Sequence, residues 1–540
     1  MRNKTYLSIA IIPILAVLII SAGNIFFRES NQEVDTVSTV YLPLISTPPA
    51  PENCPAPIDS APALPTTSQR IATQSFIPGQ VKTAGTEYHV TVNGRSSGNG
   101  SISNPWDLDS ALLESSRTKP GDIIWVHGGT YHPVVEPAKY NIKLVGGDNN
   151  PIIIRTYPGE RVTIEGGIQI YQPNVVFWGF EVMSSDTDRT ASESGSHPSD
   201  LNRAGGIVIF NRNIMLINNI IHDGGSGITA SFNAPNATIY GNLSYNAGWQ
   251  GPDRGHGHGF YGQNDTGTKY IYENIIFNNF GSYSFHIYRE GGPLNNFILY
   301  GNAAINDTFL VGGLEPADNI SVLENHIYNA KTRLGYSSKD NGTITISNNW
   351  FYGEPGEDNL ELKWWDKAIV TNNCSFSQND TVVLMEYPSS HSSYVWNNNI
   401  YRSTDSTPFF YNGSARSWSQ WRSSTGFDSS SNFKAEVPKG LSIYVRPNLF
   451  EAKRGHVFIY NWDSQNTVNV DISSLGLAIG DSYTLHNALD YYVNPIQGVY
   501  NGAPIPVRMT NWSVAKPIGW SETLGPTTFP KFGTFVLTSP

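Results

Sequence analysis

The chain has 540 residues, of which 39% are hydrophobic, 15% charged and 12% aromatic, with 50 Gly, 34 Pro and a net charge of −11. So few charges beside so many Gly and aromatic residues exclude a coiled coil and highly charged disorder, and the length allows roughly two to four domains. Lys and Arg (34) are outnumbered by Asp and Glu (45) and form no cluster, which excludes a nucleic-acid backbone as a partner. Two Cys far apart in the chain, Cys54 and Cys374, exclude a disulfide-dense scaffold and a Cys-based zinc site.

At the start, Arg2 and Lys4 precede an apolar run from Leu7 to Ile20, followed by Ser21, Ala22 and Gly23. A charged start, a short apolar core and small residues read as a secretory signal over residues 1–23. With its flanks the run is just long enough to serve instead as an uncleaved membrane anchor. Residues 24–84 then turn rich in Pro, Ser and Thr, as in STPPAPENCPAPIDSAPALP. That composition is expected to form an extended, semi-rigid spacer. The protein is therefore expected to be secreted or anchored at the cell surface.

From residue 213 one phrase recurs: an Asn or Gly, alternating apolar residues, then Asn, then two or three apolar residues. It reads NIMLINNIIHD (213–223), NATIYGNLSYN (236–246), TKYIYENIIFN (268–278), NFILYGNAAIN (296–306), NISVLENHIYN (319–329), GTITISNNWFY (342–352), AIVTNNCSF (368–376) and YVWNNNIY (394–401). The marker residues are Asn219, Asn242, Asn274, Asn302, Asn325, Asn348, Asn373 and Asn398, in steps of 23, 32, 28, 23, 23, 25 and 25. A period in the twenties built of short β-type segments means a solenoid, because each unit is too small to bury a face alone. Asn at one point of every turn can bond to its copy in the next.

This pattern resembles the right-handed parallel β-helix of the pectate-lyase-like superfamily over residues 85–437. The opening, YHVTVNGRSSGNGSISNPWDLDSALLESSRTKPGDIIWVHGGTYH (88–132), has the form of the first strand, Gly-rich turn and capping helix of many secreted polysaccharide lyases and hydrolases. NPIIIRTYPGERVTIEGG (150–167) continues it, and WSQWRSSTGFDSSS (418–431) looks like a closing segment. The resemblance implies an all-β fold that hosts lyases, hydrolases, epimerases and adhesins. After it, residues 438–540 alternate apolar and polar positions between Gly, Asn and Asp turns, an antiparallel β-sandwich pattern. It resembles the accessory sandwich of some glycoside hydrolases. That sandwich is either a structural cap on the solenoid or a glycan-binding module using Trp462, Tyr491, Tyr492 or Trp512.

In such a solenoid, side chains alternate inward and outward, and coils stack ~4.8 Å apart, so one strand column lines a groove. Placing Ile209, Ile228, Phe260, Phe285, Ile287, Leu334, Leu360, Leu362 and Met385 inside leaves Tyr261, Gln263, His286, Tyr288, Glu290, Glu315, Arg333, Glu361, Lys363 and Glu386 outside. Counting from the marker Asn places Glu361 and Glu386 one coil apart, at ~5 Å, with Glu315 at ~10 Å from Glu361. That spacing fits a glycosidase carboxylate pair, whose mutual repulsion would raise one pKa. Equally, Arg333 or Lys363 could neutralise a uronate carboxylate while His286, Tyr288 or Lys363 exchanges protons, as β-elimination requires. The alternative for all of these is a solvated stripe of ion pairs.

In GWQGPDRGHGHGFYGQN (248–264), His258 and Tyr261 are expected to touch substrate. His256 and His258 would meet a metal only with a third ligand such as His286. Glu290 and Glu315 could serve Ca²⁺, but no Asp-rich ligand run appears and no metal is assigned. Asp223, in HDGGSG (222–227), reads as part of a tight corner. The polar stretch 184–206 reads as a loop overhanging the groove. The leading expectation is an extracellular polysaccharide-degrading enzyme, a glycoside hydrolase or a polysaccharide lyase, acting as a monomer. The alternatives are a non-catalytic glycan-binding or cell-surface β-helix protein, and a structural component of the cell envelope.

Overall fold

The structure is a computed structural model that describes residues 17–21, 24–28, 54, 61–72, 85–133, 138–353, 356–387 and 390–539. Of the first unit, residues 1–51, it describes one antiparallel pair, Val17–Ser21 with Asn24–Arg28. The rest of the expected signal or anchor lies outside the described residues. No helix among the described residues is long and apolar enough to cross a membrane.

The second unit is a right-handed parallel β-helix followed by an antiparallel β-sandwich. Three 12-stranded sheets run along the coil: the first from Glu87–Val90 to Val395–Asn397, the second from Gly129–Tyr131 to Asn432–Lys434, and the third from Lys139–Ile142 to Ser414–Arg416. Pairing is parallel except at the last strand of the third sheet. The core inside the coil is aliphatic and aromatic, and it holds every residue expected to face inward, from Ile209 to Met385. Two short helices close its ends. Leu108–Leu113 is N-capped by Asp107, and Trp418–Thr425 is capped at Ser417 and Gly426 and buries Trp421 in the core.

The Asn ladder is real but differs in two members from the sequence reading. It comprises Asn219, Asn242, Asn274, Asn302, Asn325, Asn349, Asn373 and Asn399. Asn348 and Asn398 instead hold the preceding left-handed position, at φ 58° and 59°. Each ladder amide from Asn219 to Asn373 donates through Nδ2 to the next Oδ1, for instance Asn274 to Asn302 at 3.0 Å, and its backbone N–H donates to the same oxygen; the last, Asn399, donates to Asp428 and Ser431 instead. Nδ2 also donates to a carbonyl of an earlier coil, Ile239 in this case. Every polar atom is thus satisfied in a site closed to water, which is why Asn can sit there.

The C-terminal part lies along the flank of the coil, not on its end. A five-stranded antiparallel sheet (Leu441–Pro447, Gly455–Asn461, Phe532–Thr538, Ser482–Asn487, Ile496–Val499) is covered on one side by the pair Thr467–Val470 and Ile505–Arg508. Its other side packs on the outer face of the second sheet. Phe458, Tyr460 and Val536 meet Tyr328, Trp350 and Ile305 there, while Val457, Ile459 and Leu537 point into the sandwich. Both faces of Gly455–Asn461 are buried, so its expected polar alternation is lost. Arg446 reaches into the contact, 3.0 Å from Glu273 and 2.5 Å from Glu324.

Trp462, Tyr491, Tyr492 and Trp512, the candidate sugar platforms of the sandwich, are packed in these two clusters. The expected spacer is likewise partly seated on the coil. Leu64 and Ile71, flanking and within the helix Thr66–Ala72, cover Trp125, Trp178, Tyr240 and Tyr272 on the outer face of the first sheet. The two cysteines, too few for a scaffold, pair with each other and tie this segment to the second sheet. Of the three outer faces, the third sheet's carries neither of these covers.

Candidate functional site

The register of the third sheet decides which side chains meet. Tyr261 pairs with His286, His286 with Leu310, Leu310 with Arg333, and Arg333 with Glu361. These five form one outward column, each coil ~4.8 Å from the last. A parallel column two residues further along each strand carries Gln263, Tyr288, Lys363 and Glu386, the last two directly paired. Between Tyr288 and Lys363 that second column holds Gly312 and Gly335. A Cβ at Gly312 would stand 2.8 Å from the Tyr336 nitrogen, and one at Gly335 would stand 2.1 Å from the Lys363 carbonyl, so neither position can carry a side chain. In this second column a gap two coils wide therefore separates an aromatic and imidazole cluster from a cluster of charges, while the first column carries Leu310 and Arg333 on the same two coils.

The first cluster is built of His258, Tyr261, Tyr283, His286 and Tyr288. The His258 and His286 rings are 4.3 Å apart, and His286 lies 4.4 Å from Tyr283 and 4.9 Å from Tyr288, stacked on the latter. Gln263 donates to the Tyr261 hydroxyl at 2.8 Å. Burial, aided by His258, pushes the His286 pKa down to about 3. Burial, with Arg254 and His256 adding, pushes His258 down to about 4. Both imidazoles are neutral at pH 7, and the buried Nδ1 of each has no hydrogen-bond partner among the described residues. Burial also raises the phenols of Tyr261 and Tyr288.

The second cluster centres on Glu361. Arg333 Nε donates to it at 2.6 Å, Lys363 Nζ lies 3.0 Å away and Lys331 Nζ 3.7 Å. Burial pushes the Glu361 carboxyl upward, but these cations outweigh it and hold the pKa below the ordinary carboxylate range. Lys363 also lies 4.0 Å from Glu386. Asp358, beside the same lysines, is raised by burial. Among the described residues, Arg333 gives only Nε to Glu361, and its Nη groups make no hydrogen bond. Its guanidinium lies 5.3 Å from the ring of Tyr336, which in turn lies 5.2 Å from Tyr288, so the two clusters meet across the gap.

The carboxylate arithmetic from sequence does not hold. Glu361 is opposite Leu384, and Glu386 is opposite Lys363, so the two acids are diagonal neighbours at ~7–8 Å. Glu315 is outside the column altogether, in the turn after Thr308–Val311, paired with Lys339 at 2.6 Å. Glu290 is exposed in the turn after Tyr283–Ile287. The turns leading from the second sheet to the third differ in length, which breaks any count taken from the marker Asn. The suggested trio of histidines does not converge either: His256 is buried, stacks on Trp249 and bonds Asp253 at 3.0 Å. No group of three or more His, Cys, Asp or Glu able to hold a metal occurs among the described residues. Asp223 sits in the tight corner after Ile220–His222, at φ 58°, where it is buried, ion-paired with Arg189 and bonded to His222. Tyr283, Tyr336, Lys331 and Asp358 belong to the clusters and were not singled out in the sequence. Tyr336 and Lys331 flank the strand Thr332–Leu334, a proximity the sequence does carry.

No family model matches the chain, and no curated protein matches it. Among solved structures, the pectate lyase Pel9A is 15% identical, with 61% of this chain and 81% of that one covered and a TM-score of 0.34. A rhamnogalacturonan lyase is 13% identical over 62% of this chain and 86% of its own, TM-score 0.32. XylC, solved in complex with xylose, is 11% identical over 83% of this chain and 99% of its own, TM-score 0.36. The chemistry rests on the residues of this chain.

Proposed function

We propose that this protein is an extracellular enzyme that binds a polysaccharide along the outer face of the third sheet and cleaves it by β-elimination beside a uronate carboxylate. The observation that carries the reading is the pair of neutral imidazoles of His258 and His286, each with an unpartnered Nδ1, set among tyrosines and two coils from Arg333, with Leu310 between them and the adjacent column left bare by Gly312 and Gly335. In this scheme the Nη groups of Arg333 hold the uronate carboxylate and stabilise the charge that develops on it. His286 takes the proton from the carbon α to that carboxylate, and the bond to the glycosidic oxygen on the next carbon breaks as the new double bond forms. Tyr288 gives its hydroxyl proton to the departing oxygen. An incoming carboxylate favours the protonated imidazole, so the anionic substrate itself strengthens the base.

Hydrolysis by a carboxylate pair is the weaker reading. Glu361 is clamped by three cations, which keeps it ionised and occupies the oxygens a nucleophile or a general acid needs. Purified protein incubated with uronate and neutral polysaccharides tests the proposal. New ultraviolet absorbance from an unsaturated product, lost in His286→Ala and Arg333→Ala, is expected. New reducing ends without that absorbance would make the protein a hydrolase, and binding without cleavage would make it a glycan-binding protein.

A further inference from the structure

The third sheet carries a second feature, three coils before the His286 coil. Tyr171 and Phe210 occupy the same outward column as Gln263 and Tyr288, since Ile170 pairs with Ile209. Their rings stack at 4.9 Å with planes 10° apart. That distance is close to the coil spacing, so the two rings stack coil upon coil along the solenoid. One face of Phe210 is covered by Tyr171. The other looks toward the next coil, where Ser231 stands opposite Phe210 and Thr229 opposite Val208. Beyond them the next coil presents Tyr261, opposite Thr229. A slot with two small residues as its floor thus lies between an aromatic face and the Tyr261 wall. Tyr171 is 38% exposed, and neither ring belongs to any core cluster, so folding does not account for the pair.

We propose that the slot above Ser231, with Phe210 as its stacking platform, is a distal sugar-binding subsite for the same uronate chain; this rests on the cleft reading above. A pyranose presents one face of C–H groups, which suits a ring, and a rim of hydroxyls, which suits Thr229, Ser231 and Gln263. The slot lies two coils, ~10 Å, from His286, so a chain cleaved there reaches it with about two further sugar residues. The enzyme therefore prefers chains over disaccharides, and the preference resides in Phe210.

Calorimetric titration of the full-length protein with galacturonate, mannuronate and guluronate oligomers, from the dimer upward, tests this. Expected is affinity that rises with chain length. Phe210→Ala should then weaken long-chain binding about tenfold, with the smallest effect on the dimer. Ser231→Phe, which fills the slot and leaves the platform in place, should reproduce that loss at an unchanged unfolding temperature. Long-chain affinity equal to wild type in both variants would overturn the subsite and leave the cleft standing. No binding of any oligomer to the wild type would overturn the cleft reading, and the subsite with it.

Discussion

The outer faces of the second and third sheets are built from the same coils and differ in what covers them. At the edge of the second, in the corners where it meets the first sheet, charged side chains are sealed under the C-terminal sheet and matched within the protein: Arg446 is shared by Glu273 and Glu324. On the third, Arg333 is 27% exposed and the imidazoles beyond the gap lack partners. One face of the solenoid is taken by the protein's own C-terminal sheet and another is left open, and the register of outward columns sorts residues between them.

The largest expected effect lies on the covered face. Arg446→Ala strands two buried carboxylates and should lower stability by about 3–5 kcal/mol in urea unfolding. The equivalent cut on the open face, Arg333→Ala, should cost under about 1 kcal/mol while abolishing cleavage. Equal losses of stability at the two sites would remove the contrast. Inside the coil, Asn302→Ala deprives the Asn274 amide and backbone N–H of their acceptor and should cost about 2–4 kcal/mol.

That ladder shows what the sequence could and could not disclose. Its existence was legible because Asn recurs at each coil. Its members were ambiguous where Asn doubles, at Asn348–Asn349 and Asn398–Asn399, since a left-handed turn position and a ladder position both favour Asn. The coils with Glu273 or Glu324 before the ladder Asn resolve it, because there the left-handed residue, at φ 56° or 54°, is not Asn. The inward and outward sorting of the third sheet was legible from alternation. The pairing of Glu386 with Lys363, and not with Glu361, was not, because it depends on turn lengths between sheets. The flank position of the sandwich was hidden because the strand Gly455–Asn461 buries residues on both faces, which breaks the period-two pattern.

Smaller effects sharpen the comparison. Cys54→Ser should lower stability by about 2 kcal/mol through the released strap, and leave the cleft intact. The imidazoles of the open face give a pH signature. Their folded pKa values, about 4 for His258 and about 3 for His286, lie below that of the unfolded side chain. The unfolded chain therefore binds more protons, and stability is lost as pH falls from about 6.5 through these values. His286→Gln should flatten that slope in a pH series of unfolding temperatures, and an unchanged slope would contradict the burial of the pair.

The most direct measurement is a crystal structure of His286→Ala with a bound oligouronate. The sugar chain should lie along the third sheet with a carboxylate against the Nη groups of Arg333, over Gly312 and Gly335. A chain bound on the sandwich, or on the third sheet with its carboxylates turned away from Arg333, would contradict the account.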